Sequence, residues 1–142
     1  MSTEENKAIL RQFFEAFWNN GNPNAFDEFF AAGWVHHNPP AGAEPNRDGF
    51  KQAMTAFRAA FADIHTTIDD MIADGDKVAW RWTFQGTHTD SLMGIPATSK
   101  QITLTGISID RLAGGKSVER WDQADFLGMM QQIGAIPAPE SQ

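Results

Sequence analysis

Residues 101–126 read Q-I-T-L-T-G-I-S-I-D-R-L-A-G-G-K-S-V-E-R-W-D-Q-A-D-F. The run Gln101 to Leu112 alternates side by side with a period of two, the signature of an extended strand with one buried face. Ala-Gly-Gly-Lys at 113–116 reverses the chain, since glycine tolerates the positive φ that a tight turn needs. Lys116 to about Ala124 forms the returning arm. It ends in Trp121 and two carboxylates, Asp122 and Asp125. The Gly-Gly-Lys-Ser at 114–117 mimics the end of a phosphate loop. The glycine required five residues before Gly115 is Asp110, and the stretch joins strand to strand, so it is a hairpin turn.

Upstream, Val78, Trp80, Trp82 and Phe84 alternate with Lys77, Ala79, Arg81 and Thr83, the clearest strand in the chain. An Asp-Gly-Asp turn at 74–76 precedes it. Before that turn, Thr66, Ile68 and Ile72 are expected on one face, with His65, Asp69 and Met71 on the other. The N-terminal third is helical in period. Ser2 or Thr3 caps a helix whose apolar stripe holds Ile9, Phe13 and Phe17, flanked by Leu10, Phe14 and Trp18. Asn-Asn-Gly-Asn at 19–22 stops it. Pro23 opens a second helix expected to carry Phe26, Phe29 and Phe30. Trp34 to Pro40 reads as an extended loop, and Asn46 caps a third helix with Phe50, Met54, Phe57 and Phe61 on one face. Phe126, Leu127, Met130 and Ile133 mark a short last helix, ended by Gly134 and Pro137. Helices first and a meander of strands after imply an α+β fold, with a four-stranded or larger antiparallel sheet. No linker divides the 142 residues, which are read as a single domain, 1–142.

Composition removes several function classes. The formal charge of −7, without a basic cluster, argues against nucleic acid and anionic membrane as partners. The chain has no Cys, which closes thiolate chemistry and Cys-ligated zinc and fits a cytoplasmic location. It has no Tyr, so no phenol can act as acid or oxyanion donor. His36, His37, His65 and His88 lack the spacing that puts two imidazoles on one helix or strand face, so no metal site is expected.

The remaining chemistry lies with the carboxylates. An apolar pocket disfavours the charged form of a carboxylate and makes it a stronger base. Asp122 is the candidate for that role, against a surface pairing with Arg120 or Arg111. Asp125 lies three residues on, where a regular strand would turn it to the opposite face. It is a second catalytic candidate or the cap of the last helix, and strand parity alone leaves open which aspartate faces inward.

Several strings carry a family resemblance: D-G-D-K-V at 74–78, R-W-T-F-Q-G-T-H-T at 81–89, M-G-I-P-A-T at 93–98, G-I-S-I-D-R-L-A-G-G-K-S-V-E-R-W-D at 106–122 and L-G-M-M-Q-Q-I-G at 127–134. With W-V-H-H-N-P at 34–39, they resemble the SnoaL-like polyketide cyclases from about Lys7 to Gly134. That resemblance implies the nuclear-transport-factor-2-like α+β cone, helices packed in a curved sheet around an apolar pocket. It implies intramolecular aldol chemistry on a small hydrophobic carbonyl compound with no cofactor, and a homodimer or higher homo-oligomer. The family's acid/base matches Asp122. Its imidazole on the preceding strand falls near Ser108, which is not an imidazole. His37 is placed at the pocket mouth as an orienting group, with His36 pointing away. Phe14, Phe17, Trp34, Phe57 and Trp82 are expected as apolar walls, and His88, Met93 and Ser108 as further substrate contacts. Two rival readings remain. An epoxide hydrolase or isomerase on the same cone would need an Asp–Arg–Asp set and a Tyr; Tyr is absent and the third predicted strand has no Arg-x-Asp. A non-catalytic, dimeric small-ligand-binding protein would not need Asp122.

Overall fold

The computed structural model describes residues 2–137. Helix α1 spans Thr3–Phe14 and opens on a capping box: Glu5 N–H donates to Ser2 Oγ (3.1 Å) and Ser2 N–H to Glu5 Oε1 (3.2 Å). A π-helical turn, Glu15–Asn19, continues it. The wider turn lets Phe17 and Trp18 both face inward, and the whole predicted stripe of α1 is buried. Helix α2 spans Ala25–Phe29.

The next residues correct the sequence reading. Phe30 does not end a helix and Trp34 does not start a loop; Phe30–His36 is a strand, β1. Phe26, Phe30 and Trp34 recur every fourth residue, a spacing that fits a helix face or alternate inward positions of a strand equally well. Helix α3, Arg47–Ala60, is capped by Asn46 as expected, with Gly49 N–H donating to Asn46 Oδ1 at 2.8 Å. Strands β2 (His65–Asp74), β3 (Lys77–Thr87), β4 (Gln101–Ala113) and β5 (Lys116–Ala124) form the meander. Helix α4, Phe126–Gln132, closes the fold.

The sheet order is β1-β5-β4-β3-β2. It has five strands, and β1 runs parallel to β5, so it is mostly rather than wholly antiparallel. Two face assignments also change. The β2–β3 register shifts between Ile68 and Asp70, which flips the parity of everything after it. Met71 is therefore buried and Ile72 is 66% exposed. In α4, Met129 and Ile133 reach the core, four residues apart, while Leu127 is exposed. No helix is long and apolar enough to cross a membrane among the described residues.

Directly opposed residues share a face, so the register of the sheet dictates what the helices cover. One inward row is Val78, Asp110 and Arg120, extended by His36; the next is Trp80, Ser108 and Asp122; the third is Trp82, Gly106 and Ala124. Gly106 is required by its row. A Cβ there would lie 2.1 Å from Trp82 Cζ2, so the glycine is what lets the indole lie flat across β4. Gly106→Ala should therefore displace Trp82 and cost about 1–3 kcal/mol, the usual range for overpacking. Urea unfolding followed by tryptophan fluorescence measures it, and unchanged stability and emission would show that the indole is not held this way.

Candidate active site

The inward rows end on a cavity of about 290 Å³ between the sheet and the helices. Strands β3 and β4 supply Trp80, Trp82, Phe84 and Leu104. Helix α3 supplies Phe50, Met54 and Phe57, and the π-helical turn supplies Trp18. Pro39, Pro40, Ala41 and the part-exposed Phe126 complete the wall. Against this apolar lining stand five polar groups: His36, Asn38, Ser108, Arg120 and Asp122 on the strands and the loop after β1, with Gln123 beside them.

Asp122 is the one carboxylate on the cavity wall among the described residues. Its side chain is 20% exposed and its Oδ1 lies 3.1 Å from His36 Nε2. A neutral imidazole with its proton on Nε2 donates to that oxygen. His36 itself is 2% exposed, stands tilted against Trp34 and edge-on to Phe50, and its Nδ1 meets no partner. The ring therefore reaches the site through the carboxylate. Asn38 holds the backbone of the same aspartate. Its Oδ1 accepts from Asp122 N–H at 2.9 Å and its Nδ2 donates to Asp122 O, so a side-chain amide extends the β1–β5 ladder by one rung.

Behind this group Asp110 has no exposed surface. Trp80 Nε1 donates to its Oδ1 (2.9 Å) and Ser117 Oγ to its Oδ2 (2.7 Å), and Arg120 Nε straddles both oxygens at 3.0 and 3.1 Å. The guanidinium carbon of Arg120 lies 5.1–5.8 Å from the ring centres of Phe30, Trp34, Phe50 and Trp80.

Of the residues singled out in the sequence, Asp122, Phe57, Trp82 and Ser108 line the cavity. Ser108 accepts from Trp82 Nε1 at 2.9 Å, so its hydroxyl fixes a wall indole. Asp125 does not line it. Oδ1 of Asp125 accepts from Gly128 N–H at 2.9 Å and caps α4, which settles the placement of the two aspartates. Phe14, Phe17 and Trp34 are buried one layer behind: Phe14 meets Trp80 edge-on, Phe17 meets Phe26, and Trp34 stacks on Phe30. His88 is fully buried, 3.0 Å from Thr98 Oγ1, and ties the 88–100 loop; Met93 is exposed on that loop.

The two histidines exchange places. His37, expected at the pocket, lies on the outer face, stacked on Trp121 and 2.7 Å from Glu119 Oε1. There Arg111 first, then His37, hold the Glu119 carboxyl below its usual range. His36, expected to point away, faces the cavity. The cause is β1: once the segment is a strand, His36 shares the face of Trp34, and His37 takes the other. Sequence reasoning also missed Asp110, Arg120 and Asn38. The parity of Ile102, Leu104 and Leu112 puts Asp110 on the inward face, but Ile107 and Ile109 carry the opposite parity and obscure that signal.

Comparison with known proteins agrees with the fold. The SnoaL-like polyketide cyclase profile matches residues 8–133. The aklanonic acid methyl ester cyclase DnrD of Streptomyces peucetius is 29% identical over 139 residues, 93% of each chain. The corresponding cyclase DauD of Streptomyces sp. strain C5 is 28% identical, over 93% of this chain and 84% of its own. The structure of TsrD from Streptomyces laurentii superposes with a TM-score of 0.85 at 28% identity, covering 96% of this chain and 99% of that one. With a profile match running from α1 into the end of α4, the chain belongs to the SnoaL-like polyketide cyclase family.

Proposed function

We propose that this protein is a cofactor-independent cyclase in which Asp122 removes a proton α to a carbonyl and the resulting enolate attacks a second carbonyl of the same molecule. The observation that carries this reading is the placement of Asp122: the one carboxylate on a largely aromatic wall among the described residues, oriented by His36 and backed by Asn38. The substrate is a small hydrophobic polyketide-type carbonyl compound, in keeping with the substrates named for DnrD and DauD. The indoles of Trp80 and Trp82 and the ring of Phe57 give flat apolar surfaces for it. The proton that Asp122 takes from carbon is returned to the alkoxide formed by ring closure, so the carboxylate ends as it began.

An epoxide-opening reading has one observation in its favour. Arg120 and Asp122 stand two residues apart on the inner face of β5, with Asp110 beside Arg120. Asp110, however, is sealed from the cavity and both its oxygens are occupied, so it cannot act on a ligand. The cyclase reading therefore stands first.

The outer sheet face bears on the oligomer. Ile72, Ala79, Ile109 and Trp121 are directly opposed in one row across four strands, and Ile72, Ile109, Trp121 and the adjoining Ile107 are exposed. The reading includes a homodimer formed by pairing these faces, as an exposed apolar patch of this kind marks an association surface.

Two outcomes are expected. Asp122→Asn should lower the rate of α-proton exchange of ethyl benzoylacetate in deuterated buffer, followed by NMR, by about 10²–10⁴-fold, the usual worth of a general base. His36→Phe keeps the packing and removes the donor, so it should lower the rate by about tenfold with little change in KM, as loss of one oriented hydrogen bond does. Exchange undiminished in Asp122→Asn would remove Asp122 as the base, and wild-type exchange no faster than the uncatalysed rate would leave a ligand-binding protein rather than an enzyme. For the dimer, Ile109→Glu places like charges across the paired faces; sedimentation velocity should show the wild type at twice the mass of the variant, and equal masses would remove the proposed interface.

A further inference from the structure

Arg120 is 4% exposed, carries a charge and lines the cavity, yet it spends only one of its three nitrogens on the protein. Nε donates to Asp110. Neither terminal nitrogen finds a hydrogen-bond partner among the described residues. A guanidinium offers five N–H donors in a rigid plane, and the terminal nitrogens of Arg120 are not sealed off but open to the cavity that the residue lines. The aromatic faces of Phe30, Trp34, Phe50 and Trp80 accept the cation but give its N–H groups no acceptor in their plane. The acceptors must come from whatever fills the cavity.

We infer that Arg120 is the receptor for the anionic oxygen that develops on the ligand, with its terminal nitrogens on that oxygen while Asp122 stands on the α-carbon side. This rests on the cyclase reading and adds the group that receives the charge. Asp122 and Arg120 sit two residues apart on the inner face of β5, about 6.6–6.8 Å along the strand, and both line the cavity, so one small ligand can meet both side chains. The step balances without a co-reactant. The C–H bond breaks, its proton goes to the Asp122 carboxylate, and its electron pair moves into a new C=C bond as the carbonyl π pair moves to oxygen. That oxygen accepts from Arg120. Asp110 fixes the guanidinium through Nε, so the donors are already aimed when the charge develops and no reorganisation is needed. The planarity of an enolate also suits the flat walls of Trp80 and Trp82.

The test uses 1,3-indandione, an acidic diketone whose enolate absorbs in the visible, with indane as an analogue lacking both oxygens. The wild type should bind the enolate about 10–100-fold more tightly than indane, the usual worth of charge-assisted hydrogen bonds, and should raise the enolate fraction of the bound diketone at a given pH. Arg120→Lys, which keeps the charge but loses the fork, should reduce the preference by at least about tenfold. The double variant Arg120→Met, Asp110→Asn removes both buried charges together and should abolish it; circular dichroism confirms that each variant folds. Asp122→Asn should keep the enolate preference while losing α-proton exchange. If the folded double variant prefers the enolate as the wild type does, or the wild type binds indane equally well, the inference about Arg120 is overturned while the cyclase reading stands. If enolate preference follows Arg120 but exchange survives in Asp122→Asn, the cyclase reading fails and Arg120 remains an anion receptor.

Discussion

Asp110 has no exposed surface, and its two oxygens take up donors from Trp80, Ser117 and Arg120. Ser117 in turn accepts from Trp34 Nε1 at 3.0 Å. One carboxylate thus joins side chains of β3, β4 and β5, and through Ser117 reaches β1. A buried charge pair contributes little net stability compared with apolar packing, because both ions lose their hydration, but losing one partner costs about 3–5 kcal/mol. Such a group acts on register. Sliding β4 by one residue would turn Asp110 to the outer face and leave Arg120 without a counter-ion among four aromatic rings. The same register puts Ser108 opposite Asp122 and Gly106 opposite Trp82. The site is assembled by the pairing that the buried aspartate enforces.

Much of this is visible in the sequence where a period runs long and unbroken. Val78 to Phe84 alternates without interruption and is buried as read; the α1 stripe from Ile9 to Trp18 is buried as well. The hairpin at Gly114 and Gly115 falls where two consecutive glycines adopt positive φ. Misreadings cluster where one residue resets the period. The irregularity near Asp69 in β2 reverses the faces of Met71 and Ile72, and no local sequence signal separates a bulged strand from a regular one. The Phe30 segment fails for a related reason. Its strand character comes from pairing with β5, nearly ninety residues later, a contact to which local propensity is blind.

The site inherits these limits. The hairpin brings Asp122 forward as a candidate and the family resemblance singles it out, while Asp125 could be read as a cap because its side chain precedes a helical turn. His36 and His37 differ by one position, so their roles depend wholly on whether 30–36 is strand or loop. Trp34-x-His36 in an extended segment already puts the imidazole on the face of a large aromatic residue, which is the clue that the loop assignment hid. Arg120 and Asp110 were hidden by a different habit of reading. Charged residues in strands are usually solvated, and nothing in the spacing from 110 to 120 shows that the two meet inside.

The arrangement also explains why an apolar cavity can hold so many polar side chains without collapsing into ordinary core. Each is held by a neighbour: Asp122 by Asn38 and His36, Ser108 by the Trp82 indole, and Arg120 by Asp110, which lies behind the wall. Asn38 uses only the backbone of Asp122, His36 only its Oδ1, and Asp110 only Nε of Arg120, which leaves Asp122 Oδ2 and the terminal nitrogens of Arg120 for a ligand. Packing and preorganisation are then the same property. The guanidinium of Arg120 stands among four aromatic rings while Asp110 holds its Nε, and the ladder rung made by Asn38 fixes the backbone of Asp122 without occupying its carboxylate. Chemistry that separates charge at the substrate depends on dipoles already pointing the right way, and here that orientation is built into the strand register rather than into a mobile loop.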